Sequence, residues 1–564
     1  MNNRFVFFTL LTFSFFLLTN CNQTKKTDMN KELTDFLTEH VNKVSELERN
    51  YGIAYFNASI SGKDEDYEKA AELEFELEKI YTSKEDFEKI KKFKESGQIT
   101  DELLNRQLEL LYTDYVDKQI DESKVEELIN MQSAIENTYS TFRAVVGKDT
   151  LTDNQLEELL TSSTDSKKLE QTWRASKEIG KLVANDVIAL VKKRNEVAVS
   201  LGYDNYHQMS LTLNEQDPKE VEKLFDELDL LTKDAFAKEK DIIDEYFAKR
   251  YNIAKEKLMP WHYQNRFFQE APKIYEIDLD TYYKNQDIVE ISRKFYSGIG
   301  LQVDSILKNS DLYEKEGKYQ HAYCTDIDRS KDVRIVCNIK PNAQWMNTQM
   351  HELGHGVYDY YLDMELPYLL REAAHTFTTE AIAMFFGRLA SNPQWIQDMT
   401  GISDEEKAKI STDCFNTLRL EQLVFSRWAQ VMYRFEKGMY ENPEQDINKL
   451  WWDLVEKYQL LKRPDNNDGA ADWASKIHIA TVPCYYHNYL LGELFASQLY
   501  YYVAENVIKS ENVNNMSLTN NKELGNFLKT NIFEQGRRYY WNTMIEKATG
   551  EPLTAKYYAM QFVD

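Results

Sequence analysis

Two histidines one helical turn apart bracket an acid in the run His351-Glu352-Leu353-Gly354-His355. The segment Ala343–Met350 ahead of them carries no helix breaker, so both imidazoles fall on one helical face and can grip one ion. Zinc accepts such a nitrogen pair, takes a third protein ligand and leaves one position open for water. Glu352 lies beside that position and can take the water's proton. The third ligand should be an acid on a following helix. Glu380 heads the helical run Glu380-Ala381-Ile382-Ala383-Met384-Phe385-Phe386-Gly387, but spacing alone also admits Glu372 and Glu365. Seven of the nine histidines (262, 321, 351, 355, 375, 478 and 487) lie between 262 and 487, a crowding that points to metal or proton chemistry.

The elements that must position these groups read as helical. Much of 31–310 has helical periodicity and few breakers. Asp217-Pro218-Lys219-Glu220 is a helix start, with Asp at the N-cap and Pro in the first turn. Behind it Val221, Leu224, Phe225, Leu228 and Leu231 mark one apolar face. Leu73, Phe75 and Leu77 alternate as a strand would, yet their Glu, Lys and Ala neighbours favour helix. The best strand is Asp332–Ile339, just ahead of the histidine motif. With 19 glycines and 10 prolines in 564 residues, collagen-like and linker-rich classes are excluded. A hydrophobic share of 42% supplies a large core. The net charge of −25 argues against nucleic-acid binding, which needs basic surface. One large α-rich catalytic domain of two lobes around a cleft, residues 31–564, fits better than several small domains.

The chain opens with an export signal, residues 1–20: Arg4, then an apolar run over 5–18 too short to span a bilayer. Leu18-Thr19-Asn20-Cys21 resembles a bacterial lipobox, which implies lipidation at Cys21, a polar tether over 21–30 and a place in the cell envelope or periplasm. Four further cysteines, 324, 337, 414 and 484, make no disulfide scaffold. Cys324 and Cys337 flank a polar stretch where a hairpin would bring them together, either bridged or as two thiols.

The stretch from His351 through Leu366-Pro367, Leu370-Arg371-Glu372 and Glu380-Ala381 resembles the peptidyl-dipeptidases of the angiotensin-converting enzyme family. The resemblance runs over most of the chain after about residue 35 and is best from 259 to 495. It implies a mainly α, two-lobed helical zinc-peptidase (gluzincin) fold with a deep central cleft and a small β element near the active site. It implies one Zn2+ held by His351, His355 and Glu380, with Glu352 as the base. Met259-Pro260-Trp261-His262 through Gln269 resembles the segment whose glutamine binds the substrate's C-terminal carboxylate. His321-Ala322 resembles the pair on the strand that binds the substrate backbone. Lys476-Ile477-His478-Ile479 resembles the segment giving a carboxylate-binding lysine and a transition-state histidine. Tyr486 and Tyr489 resemble the tyrosine pair, the first toward the carboxylate and the second toward the oxyanion.

The chain also departs from that pattern. The gaps from His355 to Glu380 and from His478 to Tyr489 are each one residue longer than usual, which suits the thimet-type oligopeptidases as well. Met384 stands where the family has an aspartate that orients the zinc shell. Asn488 and Val455 stand where it has chloride-binding arginines, so chloride should not be required. The resulting expectation is an exported peptidase that releases C-terminal dipeptides from oligopeptides, membrane-anchored through Cys21. The alternatives are an oligoendopeptidase or carboxypeptidase with the same zinc core, or a catalytically silent peptide-binding lipoprotein.

Overall fold

The computed structural model describes residues 28–563 apart from 276, 468, 511, 512, 514 and 515. The signal 1–20, Cys21 and most of the tether lie outside the described residues. The first helix, α1 (Met29–Ser61), is capped by Asp28, whose side chain accepts from the Lys31 amide, so helix begins two residues before the expected boundary. Among the described residues the regular structure is twenty-two α-helices, short 3-10 and π turns and two short antiparallel hairpins, and the mainly α expectation holds. None of these helices is long and apolar enough to cross a membrane.

Local signals act as the sequence dictates. Helix α3 (Pro218–Tyr251) starts with Asp217 accepting from the Lys219 amide at 2.8 Å. Val221, Leu224, Phe225 and Leu228 are buried, whereas Leu231 turns out to solvent. Leu73, Phe75 and Leu77 are helical, within α2 (Asp64–Tyr81). This helix buries only Ala70, and Phe75 stays 68% exposed. The expected strand Asp332–Ile339 is shorter, Val333–Val336, paired with Tyr323–Asp326. It stops there because the Cys337 and Ile339 amides donate instead to the Asp311 and Leu312 carbonyls, at 2.9 Å each. Cys324 pairs in register with Ile335, and both Cys324 and Cys337 are free thiols.

One apolar core runs from Ile135 to Phe562. It takes in Met350, Leu353 and Val357 of α4 (Ala343–Tyr360) and Ala381, Ile382 and Phe385 of α5 (Thr376–Gly387). It also takes in Trp428 of α6 (Asp404–Glu441) and Leu490, Leu491 and Leu494 of α7 (His487–Tyr502). The N-terminal helices gather a separate cluster around Leu33, Leu37, Leu108 and Leu111, to which Leu369 contributes from the loop after α4. An alternating chain of charges crosses between the two cores. Glu48 pairs with Arg329 (3.3 Å), Arg329 with Glu372 (2.8 Å), Glu372 with Arg537 (2.9 Å), Arg537 with Glu215 (3.3 Å), and Glu215 with Arg106.

Two glycines bring the central helices together. A Cβ on Gly354 would sit 2.7 Å from the Ala383 Cα, so α4 and α5 touch backbone to backbone. A Cβ on Gly492 would meet the Glu380 Cβ and the Met384 Sδ at 3.3 Å, so α7 closes on α5 from the other side.

Candidate active site

Helix α4 begins at Asn342, whose side chain accepts from the Trp345 amide, and runs unbroken through the histidine motif. His351 and His355 therefore stack one turn apart, with their Nε2 atoms 3.2 Å from each other. Because Gly354 admits α5 so closely, the Glu380 Oε2 lies 3.7 Å from one Nε2 and 3.9 Å from the other. A tetrahedral ion with bonds of ~2.0–2.1 Å separates its ligand atoms by ~3.3 Å, so the three atoms fit one small divalent cation. Among the described residues this is the one His/Cys/Asp/Glu grouping with that geometry.

The electrostatics agree with the donor set. Burial lowers His351 to about 4, and burial with His351 beside it lowers His355 to about 3, so both rings are neutral and available as ligands. Burial raises Glu380 to about 7, and burial followed by Glu380 raises Glu352 to about 8. Two acids thus crowd a half-buried site where no cationic side chain pairs with them among the described residues, and a divalent charge would relieve both.

The competing acid is otherwise engaged. Glu372 is held between Arg329 and Arg537. Histidine crowding also overstated the chemistry. His262 lies 2.7 Å from the Ser166 hydroxyl and accepts from the Met259 amide. His375 caps α5 through the Phe377 amide and reaches the Asn214 carbonyl. His487 lies 2.7 Å from the Gln216 Oε1. These three rings hold the fold together.

A second group converges from elements far apart in the chain. The Lys476 Nζ donates to the Gln269 Oε1 at 2.6 Å, joining two residues 207 apart. Its ammonium sits among the rings of Tyr486 (5.3 Å), Trp428 (5.4 Å) and Phe267 (5.5 Å). No carboxylate pairs with it among the described residues, and burial, with Arg266 adding repulsion, lowers it to about 8. A cavity of about 280 Å³ opens beside it, lined in part by Gln269, Lys476, His478, Phe267 and Tyr139. The His478 ring lies 5.5 Å from Tyr486, and Tyr486 lies 5.4 Å from Tyr489. Burial and then Lys476 lower His478 to about 4, so it is a neutral ring. Burial and then Glu380 raise the Tyr489 hydroxyl, so it stays protonated. Side-chain contacts therefore run from Tyr489 through Tyr486 and Lys476 to Gln269. His321 and Ala322 lie just before the second hairpin, which packs on α4. His321 is exposed, with its ring 5.5 Å from Tyr319.

Two features escaped sequence reasoning. Thr379 lies 2.8 Å from the His355 Nδ1. Arg329 and Arg537 occupy Glu372, and nothing in their local sequence marks them.

A sequence profile of the family described as angiotensin-converting enzyme matches residues 27–562. The chain is also 28% identical over 121 residues to the "Inactive angiotensin-converting enzyme-related protein" of Caenorhabditis elegans. That match covers 21% of this chain and 13% of the relative.

Proposed function

We propose that this chain, which belongs to the angiotensin-converting enzyme family of peptidases, is an exported zinc peptidase that removes C-terminal dipeptides from oligopeptides. The observation that carries the reading is the Lys476–Gln269 contact, a buried cation that no carboxylate pairs with among the described residues. A free substrate carboxylate is the missing partner. Fixing it there sets how far the scissile bond lies from the chain end.

When zinc is bound at His351, His355 and Glu380, it supplies Lewis-acid polarisation of the scissile carbonyl and of the attacking water. Glu352, raised toward neutrality by burial, accepts the water's proton and later gives it to the leaving amine. His478 and Tyr489, both neutral, donate hydrogen bonds to the oxygen that gathers negative charge. Lys476 and Gln269 bind the carboxylate, and the Tyr486 ring closes that end. His321 and Ala322 flank the extended peptide. Export through the leader 1–20 and anchoring of the envelope protein by a lipid on Cys21 complete the reading.

Chloride is not part of this machinery. Asn488 accepts from Gln216 at 2.6 Å, and Gln216 in turn contacts His487, a buried neutral chain. Val455 is buried and apolar. We expect kcat/KM to be equal in chloride-free buffer and at physiological salt, and a large rise with chloride would contradict this.

The function is tested by mass spectrometry of products from one decapeptide with a free or an amidated C-terminus. Dipeptide release from the free acid alone supports the carboxylate clamp. Equal cleavage of the amide favours the oligoendopeptidase reading. No turnover by zinc-loaded protein favours a catalytically silent binding protein; the nematode relative is itself named inactive.

A further inference from the structure

We infer that the Thr379 hydroxyl is the positioning group of the metal centre, fixing the tautomer and tilt of His355, a role this chain gives to a neutral alcohol. The inference rests on the metal site proposed above. His351 and His355 turn their Nε2 atoms toward each other and toward Glu380, so these are the ligating nitrogens. A neutral imidazole that ligates through Nε2 must carry its proton on Nδ1. The His355 Nδ1 lies 2.8 Å from the Thr379 Oγ1, so it donates to that oxygen. Ligating histidines usually give this second proton to a fixed acceptor, and the acceptor holds the ring in place.

The neighbouring groups are spoken for. Thr378, the adjacent threonine, donates its hydroxyl to the His375 carbonyl at 2.7 Å in the first turn of α5. Met384, one turn beyond Glu380, offers a thioether whose sulfur packs 3.3 Å from the Cβ position of Gly492. That sulfur faces α7 and is a weak acceptor at best. Thr379 stands one residue before Glu380, so one short stretch of α5 supplies both a ligand and the support of another ligand. Threonine suits the task because its branched Cβ restricts χ1 in a helix and holds the hydroxyl in few positions.

The test measures zinc affinity of the full chain by competition with a chromophoric chelator, with thermal unfolding of the zinc-free protein alongside. Thr379→Val removes the oxygen at nearly constant shape and should weaken zinc binding by about 10–100-fold, the usual cost of losing such a support. Thr379→Ser keeps the oxygen and should stay within about threefold of wild type. The zinc-free melting temperatures report separately what the lost hydrogen bond costs the fold, so the zinc affinities are compared only among variants still folded at the titration temperature. Should the valine variant fail to fold, Thr379→Ala gives the same readout. T379V that holds zinc as tightly as wild type, or T379S as weak as T379V, would overturn the inference. Wild-type protein that takes up no zinc would overturn the metal centre itself, and this inference with it.

Discussion

In the proposed function, Glu352 and Lys476 divide the residue-scale chemistry between proton transfer and anchoring. Glu352→Gln keeps shape and ligands but loses the base. It should cut kcat by about 10²–10⁴ with zinc content unchanged, measured by single-turnover kinetics beside metal analysis. Lys476 makes a pH prediction. Its ordinary value is 10.5 and burial brings it to about 8, so its charge is complete well below pH 8 and fades as pH rises through that value. KM for free-acid peptides should climb above about pH 8, while KM for amidated peptides should not follow it. Lys476→Met removes a charged hydrogen bond of about 1.5–3 kcal/mol, or about 10–100-fold in KM for free-acid peptides. A flat KM across that range would count against the clamp.

At the scale of elements, the site depends on how closely three helices approach. Gly354→Ala puts a methyl 2.7 Å from the Ala383 Cα, a backbone atom that cannot swing aside. Helix α5 must then back away and carry Glu380 from the histidines. We expect a stability loss of about 1–3 kcal/mol by denaturant titration and weaker zinc uptake by equilibrium dialysis. The existence of α4 and the pairing of His351 with His355 were legible because they follow from helical periodicity within one element. Glu380 was one of three acids until the fold set its carboxylate 3.7 and 3.9 Å from the two histidines and placed Glu372 between two arginines. That choice was invisible to spacing because Arg329 and Arg537 come from segments on either side of α5 in the chain, 43 residues before Glu372 and 165 after it. The hairpin Ala144–Val146 and Asp149–Leu151 was missed although its signal was present. Gly147, at φ +66°, follows two valines and takes the turn position reserved for glycine. The strand at 332–339 was overextended because alternation cannot report that Cys337 and Ile339 bond to the 311–312 segment instead.

For the whole molecule, the chain of alternating charges joins the N-terminal cluster to the larger core. Burial opposes ionisation of Glu372, but Arg329 and Arg537 outweigh it and hold its carboxyl below the ordinary 4.5. Burial likewise opposes ionisation of Glu215, and Arg106 and Arg537 prevail. A depressed folded value means that this stabilisation is present above the ordinary carboxylate range and is lost as pH falls through the lower folded value. Arg537→Met breaks two links at once. Glu372 is 38% exposed, so we expect less than the ~3–5 kcal/mol of a fully buried pair. Amide exchange over 29–116 should accelerate by about 10–100-fold relative to α4 and α5, read by hydrogen–deuterium exchange. Uniform acceleration would mean that the two cores open together. The outer helix α2 has a practical use of a different kind. Since Ala70 is its one buried residue, a fluorophore or affinity handle grafted at exposed Glu76 would leave the packing of the molecule undisturbed.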